Sequence, residues 1–246
     1  MTLRNIKLII CYDGTNYHGW QIQNDVVTVQ QKVTEAIEKL CRCSVRLIGA
    51  SRTDAGVHAL GQVANFRIDT PIPAANFAKA LTEILPDDIA ISEATDVPES
   101  FDAISDAKGK LYRYTIFTSK VRPVMSIRQC WHYPGDLDWE LMERGAKLLV
   151  GKKDFKSFAA AADKRQSSVR TITHCGVIND FPWIYIDVEA DGFLYNMVRN
   201  IVGTLVEIGR GRWKPEKITE ILQAKDRCAA GPIAPAAGLC LMRIDY

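Results

Sequence analysis

The segment GASRTDAGVHALGQVANF, residues 49–66, contains the residue types that could carry chemistry in this chain. Asp54 lies two residues after Arg52, in a stretch whose glycines permit a tight, irregular loop. A carboxylate nucleophile must be ionised and held in place, and a nearby guanidinium favours its ionised form. An Asp in a turn usually only accepts hydrogen bonds from backbone amides, but that interpretation explains His58 and Gln62 less well. Asp54 is therefore the candidate catalytic carboxylate.

A second candidate is Arg199, in the predicted helix FLYNMVRNIVGTLVEIG. At helical spacing Arg199 lies at the margin of the apolar arc and not on the polar face. Such a guanidinium either reaches solvent along its aliphatic stem or pairs with an anion, because leaving it buried alone costs roughly several kcal/mol. Asp54 is the candidate partner. The polar face of this helix comprises Asn196, Asn200, Thr204 and Glu207.

The predicted strand KLYRYTIF supplies a third candidate. Successive side chains of a strand alternate, so Tyr112 and Tyr114 share one face and Arg113 points away. The two rings are either a core pair or a platform on which a nucleobase stacks while a hydroxyl stays near the chemistry.

The elements that must position these residues form an approximately repeated order of strands and helices. The first half is predicted as strand, helix, strand, strand, helix, strand, and the second half repeats that order with one extra helix. We therefore expect an α+β fold of two ferredoxin-like lobes, residues 1–105 and 106–246, with the Asp54 loop in the first. Their antiparallel sheets are expected to join into one extended sheet with helices on one side and the active cleft between the lobes.

Charge distribution indicates a polyanionic partner for the second half. The net charge is only +2, but residues 108–128 hold six basic residues and no acid, and residues 152–170 hold six against two acids. One such cluster is usually solvated surface; several clusters with tyrosine and tryptophan nearby indicate nucleic acid. We expect a basic RNA-binding surface on the second lobe.

Several classes of protein are disfavoured by the sequence. No apolar run approaches the roughly 18 to 20 residues of a membrane span, and the start is too weakly apolar for a signal peptide, so we expect a cytoplasmic protein. The seven cysteines show no framework spacing, as expected for reduced thiols. The phosphate-binding, zinc-protease and dinucleotide motifs are all missing, so no metal and no cofactor is expected.

Taken together, five segments resemble the tRNA pseudouridine synthase A family: SRTDAGVHALGQVANF, YDGTNYHGWQIQ, KLYRYTIF, DFKSF and NMVRNIVGTLVEIG. They occur in order over nearly the whole chain, and R-T-D-A-G-V-H is far more specific than a generic glycine loop. The resemblance implies an isomerase that converts uridine to pseudouridine in the anticodon stem-loop of tRNA, at positions 38 to 40. It also implies a homodimer that works without metal or cofactor.

The resemblance implies a role for four residues of this chain. Asp54 takes the place of the catalytic aspartate, and Arg199 that of the arginine that pairs with it. Arg52 matches the arginine that helps to displace the target base, and Tyr112 the tyrosine that stacks on it. The family usually has Gly immediately before the R-T-D run, where this chain has Ser51.

The remaining substrate-binding candidates lie in two segments. His58 belongs to the Asp54 loop. Gly238 and Leu239, in the segment GLCL, correspond more loosely to the family's uracil pocket.

Two other hypotheses compete with the isomerase: a non-catalytic tRNA-binding module or folding helper, and a structural ferredoxin-like dimer with no role in nucleic-acid binding. The basic clusters alone are compatible with the first. The sequence also leaves open which tRNAs and positions are modified, and whether Asp54 attacks C1′, attacks C6 or acts as a base.

Overall fold

The computed structural model describes residues 3–163 and 165–246. The chain separates into two compact units, Met1–Lys108 with Leu241–Tyr246, and Gly109–Cys240. Both units combine antiparallel strands with α-helices, so the predicted α+β class is confirmed.

The first unit has the strand order of a ferredoxin-like fold. Its sheet runs β4-β1-β3-β2 with every neighbouring pair antiparallel, and the chain order is βαββαβ. Burial alternates along β1, where Ile6, Leu8 and Ile10 are fully buried. The elements are β1 (Arg4–Tyr12), α1 (Val29–Cys41), β2 (Ile48–Gly49), β3 (His58–Ile68), α2 (Ala74–Thr82) and β4 (Ile89–Val97).

Helix α1 forms where its sequence predicts. The Thr28 hydroxyl caps it by accepting from the Gln31 amide, and Arg42 ends it in the left-handed conformation at φ 56°. Val33 and Ile37 are buried at helical spacing. The strand predicted before the Asp54 loop is shorter than expected, since only β2 within it pairs with β3.

The second unit has a four-stranded antiparallel sheet, β5-β9-β8-β7, with the short β6 parallel to β5. The predicted hairpin is confirmed as β8 and β9, whereas β6 and β7 were not predicted. Helix α3 packs on β8 and on α4. The elements are β5 (Gly109–Phe117), β6 (Trp131–His132), α3 (Trp139–Lys147), β7 (Gly151–Asp154), β8 (Val169–Asp180), β9 (Trp183–Ala190), α4 (Met197–Gly209) and α5 (Lys217–Ala224).

The last strand, β10 (Leu239–Asp245), departs from the predicted domain bounds. The predicted second lobe, residues 106–246, includes this strand, but residues from Leu241 onward are grouped with the first unit. The Lys108 amide donates to the Asp245 carbonyl at 2.8 Å, and the Tyr246 hydroxyl to the Ala103 carbonyl at 2.8 Å. These long-range bonds hold the C-terminus against the first unit, and sequence order alone does not reveal them.

The polar face predicted for α4 is buried and does not face solvent. The Asn200 amide donates to the Phe158 carbonyl at 2.8 Å, and its oxygen accepts from Arg227 at 2.9 Å. Thr204 accepts from the Gly231 amide at 2.9 Å, and Glu207 pairs with two arginines. Buried polar groups need such partners, so this face binds the 227–234 segment onto the helix.

No helix in the described part of the chain is long and apolar enough to cross a membrane.

Gly203 lets the 227–234 segment approach α4, and its replacement tests this packing. A Cβ at this position would lie 1.7 Å from the Pro232 carbonyl oxygen, so the backbone must move. Although Ala favours helix, we expect Gly203→Ala to lower the free energy of unfolding by about 1–3 kcal/mol, measured by urea denaturation.

Gly135→Ala is the control, because a Cβ there meets only a side-chain atom at 3.3 Å. It should change stability by less than about 0.5 kcal/mol. Equal stability of the two variants would refute the close-packing explanation.

Candidate active site

The Asp54 loop connects β2 to β3 and is fixed by backbone hydrogen bonds at both ends. The Ala50 amide donates to Val63 at 2.8 Å, and the Trp20 amide donates to Thr53 at 3.1 Å. The turn itself closes through the Val57 amide, which donates to the Asp54 carbonyl at 3.1 Å. The loop is therefore irregular in shape but fully integrated in the first unit.

Gln62 of β3 holds Ser51, which lies three positions before Asp54. Its side chain is fully buried; the amide donates to the Ser51 carbonyl at 2.7 Å, and its oxygen accepts from the Ser51 amide at 3.2 Å. The side chain thereby replaces a backbone strand partner, which anchors the start of the R-T-D run.

Tyr12 holds Thr53, the residue next to Asp54. The Thr53 hydroxyl is 2.7 Å from the Tyr12 hydroxyl, and both side chains are buried. Burial alternates along the run: Ser51 and Thr53 are buried, Arg52 is exposed and Asp54 is half-buried. Anchoring of the inward residues therefore determines where Arg52 and Asp54 project.

Glycines in the segment YDGTNYHGWQIQ explain its contact with this loop. Gly19 has φ +84°, and a Cβ there would lie 2.5 Å from the Thr53 carbonyl oxygen. A Cβ on Gly14 would lie 2.0 Å from the Val57 carbonyl oxygen. Trp20 is buried and contacts Tyr12 at a ring distance of 6.2 Å, so its role is packing.

His58 lies under the loop and not on its surface. His58 is 5% exposed, and Nδ1 is 3.1 Å from both the Gly14 amide nitrogen, from which it accepts, and an Asp13 carboxylate oxygen. This position suits a residue that braces the loop, and contact of His58 with substrate stays a prediction.

Tyr112 lies in β5 with its ring against Phe193, whose centroid is 5.1 Å away at an interplanar angle of 86°. Tyr114 shares its face and is fully buried, as alternation predicts. The Tyr114 hydroxyl donates to the Pro235 carbonyl at 2.8 Å, and burial raises the pKa of Tyr114 far above its usual value. Arg113 points the other way and binds Asp187 through two contacts of 2.7 Å.

Arg199 is oriented by its own helix and by the 227–234 segment. Its Nε donates to the Ala234 carbonyl at 2.8 Å and its Nη1 to the Asn196 side-chain oxygen at 3.2 Å. The Ala234 amide in turn donates to the Arg199 carbonyl at 3.1 Å. Asn196 adopts φ 61°, which is why α4 begins at Met197 and not at Phe193 as predicted.

Gly238 lies against Tyr114, and Leu239 follows it as the first residue of β10. A Cβ on Gly238 would lie 2.5 Å from the Tyr114 ring carbon Cζ, so only glycine fits. Leu239 is buried. Their assignment to a uracil pocket stays a prediction.

The structure brings the predicted residues together within each unit. Arg52 and Asp54 lie in one loop of the first unit, and His58 is the first residue of β3, which follows that loop. In the second unit, the segment from Phe193 to Arg199 contains Phe193, which contacts the Tyr112 ring, and Asn196, which orients Arg199. Sequence reasoning missed the anchoring roles of Tyr12, Phe193, Asn196 and Ala234, which have no local pattern, although the proximity of Gln62 to Asp54 was a usable signal.

The tRNA pseudouridine synthase family model matches residues 8–104 and 146–246 of this chain, which include the Asp54 loop and α4. The chain belongs to the tRNA pseudouridine synthase family. The resemblance inferred from the motifs is thereby confirmed, and the chain is an enzyme of this isomerase family.

Similar bacterial proteins match over nearly their full length. The tRNA pseudouridine synthase A of Thermoanaerobacter sp. (strain X514) is 46% identical over 244 residues, which cover 99% of this chain and 100% of that protein. The Geotalea daltonii protein of the same name and the tRNA pseudouridine synthase A 2 of Clostridium perfringens are each 47% identical with the same coverage. A solved Cbf5-Nop10-Gar1 complex is matched at 10% identity with a TM-score of 0.37, over 96% of this chain and 57% of that chain. A score this low does not establish a shared fold.

Gln62→Leu tests the anchoring of the loop. The change leaves the Ser51 amide and carbonyl without their side-chain partners, and a buried polar group deprived of its partner costs about 1–3 kcal/mol. We expect the free energy of unfolding to fall by at least that amount, and the rate of pseudouridine formation to fall with it because the R-T-D run is displaced.

Leu60→Ala is the matched control, because Leu60 lies on the same strand but is 58% exposed. It should change stability by less than about 0.5 kcal/mol. If Gln62→Leu matched this control in urea denaturation, Gln62 would not be an anchor.

Proposed function

We propose that this enzyme isomerises uridine to pseudouridine in the anticodon stem-loop of tRNA, at positions 38 to 40, with Asp54 as its catalytic residue. The observation that carries the proposal is the R-T-D run itself. Ser51 and Thr53 are each anchored by buried hydrogen bonds, while Asp54 between Thr53 and Ala55 remains half-buried. A nucleophile needs this combination of fixed position and partial shielding from water.

The target uridine must leave its stack before a side chain can reach the glycosidic bond. Turning a base out costs a few kcal/mol, which the protein has to offset. Arg52 is exposed beside Asp54, so its guanidinium is available to occupy the vacated position or to hold the phosphate backbone. We assign it the displacement of the base.

Tyr112 and Arg199 are assigned to the same reaction. The Tyr112 ring makes a perpendicular contact with Phe193 and is proposed to stack on the extruded uracil. Arg199 is held by Ala234 and Asn196 and is proposed to keep the Asp54 carboxylate ionised. His58, Gly238 and Leu239 complete the proposed substrate-binding set.

The reaction balances without an added reactant. Asp54 acts on the nucleoside, the bond between C1′ and N1 breaks, and the base turns. A bond then forms between C5 and C1′, while the proton from C5 is released and N1 takes up a proton. Product and substrate are isomers, so neither a redox partner nor a group donor is needed.

The basic clusters of the second unit support the partners that we propose for the enzyme. Basic clusters of the second unit hold the tRNA by its phosphates, so binding weakens as salt rises. A homodimer would let one tRNA contact both subunits, and we propose the cytoplasm as the site of action.

A non-catalytic tRNA-binding module is the competing hypothesis. A tritium-release assay on tRNA labelled at uridine C5 separates the two, because a protein that only binds releases no tritium. Release in proportion to enzyme and time supports the isomerase.

Asp54→Asn should abolish pseudouridine formation while tRNA affinity stays within about twofold, because the amide keeps the shape but removes the anionic nucleophile. Tritium release and filter binding measure the two quantities. Asp69→Asn, which alters an exposed carboxylate after β3, is the control and should retain wild-type activity. Normal turnover by Asp54→Asn would refute the assignment.

Tyr112→Phe separates stacking from proton transfer. Phenylalanine keeps the π-face, so substrate affinity should hold, and the rate at saturating tRNA should drop about 10²-fold or more if the hydroxyl moves a proton. Single-turnover rates at saturating enzyme report the chemical step. Full activity would confine Tyr112 to stacking, and a loss of affinity alone would contradict both roles.

A further inference from the structure

Two cations lie on the face of the second unit's sheet that carries Tyr112. Lys110 precedes Tyr112 by two residues in β5, so the side chains share a face about 7 Å apart along the strand. Lys110 is paired with Ala190, which is paired with Ile172. Arg170 precedes Ile172 by two residues in β8, and alternation places it on the same face.

A third cation, Arg165, lies in the connection between β7 and β8, near enough to both for its charge to act on them. Burial lowers the pKa of Lys110 to about 8, with a smaller contribution from the positive charge of Arg165. The same two causes lower the pKa of Arg170. Lys110 is therefore still mostly protonated at pH 7, although partly removed from water. Lys153 of β7, which lies opposite Arg170 in the β7–β8 strand pair, is a further cation.

Two acids, Asp163 and Asp191, lie close to the two arginines. Asp163 pairs with Arg165 at 2.9 Å, and Asp191 and Asp163 both attract Arg170. Like charges gathered at a partly buried place repel one another, and a bound anion relieves that repulsion.

The loop that carries Arg165 is docked on the segment that leads into α4. The Asp163 side chain is 5% exposed and accepts from the Tyr195 amide at 2.6 Å and from Arg165 through its amide and Nη1, both at 2.9 Å. The Ala160 amide donates to the Tyr195 carbonyl at 2.9 Å. Tyr195 is two residues after Phe193, which contacts Tyr112, so Asp163 ties the loop that carries Arg165 to the segment that holds the proposed stacking residue.

We propose that Lys110, Arg165 and Arg170 form a binding site for a phosphate group of the RNA strand next to the target uridine. This inference rests on the proposed function. Guanidinium groups donate two parallel hydrogen bonds to phosphate and an ammonium adds a point charge, so the three cations suit one phosphate. Such a contact sets the register of the strand and reads no base, which is what an enzyme acting at three neighbouring positions needs.

The test compares Arg165→Gln/Arg170→Gln with the wild-type protein, using an unmodified tRNA transcript. Affinity is measured by filter binding from 50 to 300 mM KCl, and steady-state rates by tritium release. We expect the slope of log affinity against log salt to lose about one unit, KM to rise about tenfold, and kcat to stay within about twofold. Arg144→Gln, which removes an exposed charge on α3 that pairs with Glu216, is the control and should keep the wild-type slope.

Arg165→Lys/Arg170→Lys separates charge from structure. It should restore most of the salt slope, because two positive charges remain. An unchanged slope in the Gln variant, or the same loss in the Lys variant, would overturn the phosphate site. If the wild-type protein binds the transcript but releases no tritium, the proposed function fails, whereas the salt slopes still decide the phosphate site.

Inorganic phosphate distinguishes the strand from a free anion. At constant ionic strength, replacing chloride by 20 mM phosphate should weaken transcript binding more in the wild-type protein than in the Gln protein, because the free anion competes for the three cations. Phosphate that binds the wild-type protein selectively without weakening its transcript binding would assign the site to a free oxyanion and overturn the assignment to RNA.

Discussion

Everything proposed for this enzyme depends on one constraint: the buried polar groups of Ser51 and Thr53, the anchored residues just before Asp54, must keep their hydrogen-bond partners. Gln62 satisfies the amide and carbonyl of Ser51, and the Tyr12 hydroxyl meets that of Thr53. Breaking either contact inside the protein costs more than the net gain from forming it. These contacts hold Ser51 and Thr53 inward, with Arg52 exposed and Asp54 half-buried.

In the second unit, hydrogen bonds likewise fix a side chain of the proposed site, the Arg199 guanidinium. Asn196 is held in a left-handed conformation at the start of α4, where its side chain orients Arg199, and Ala234 orients the same guanidinium from the other side. The segment from Phe193 to Asn196 is in turn bound by Asp163. Tyr112, assigned to stacking, and Arg199, assigned to ion pairing, thus both depend on the short connection between β9 and α4. The loop that contains Arg165 is bound to the same connection.

Local patterns in the sequence were sufficient for elements whose stability is local. Thr28 begins α1 as its capping chemistry predicts, the β8–β9 hairpin forms, and Tyr112 and Tyr114 share a face. Features that depend on distant partners were not predictable. The polar face of α4 is buried because Phe158, Arg227 and Gly231 satisfy it, and the C-terminal strand lies with the first unit because of bonds to residues more than 130 positions earlier. For the candidate site, residue types and spacing identified Asp54, but the residues that anchor it carry no local signature.

Mapping pseudouridine in an unmodified tRNA transcript, after incubation with the purified protein, tests the central claim most directly. The account predicts pseudouridine within positions 38 to 40 for the wild-type protein and an unmodified transcript when Asp54 is replaced by asparagine. Pseudouridine at those positions from both proteins, or from neither, would contradict it.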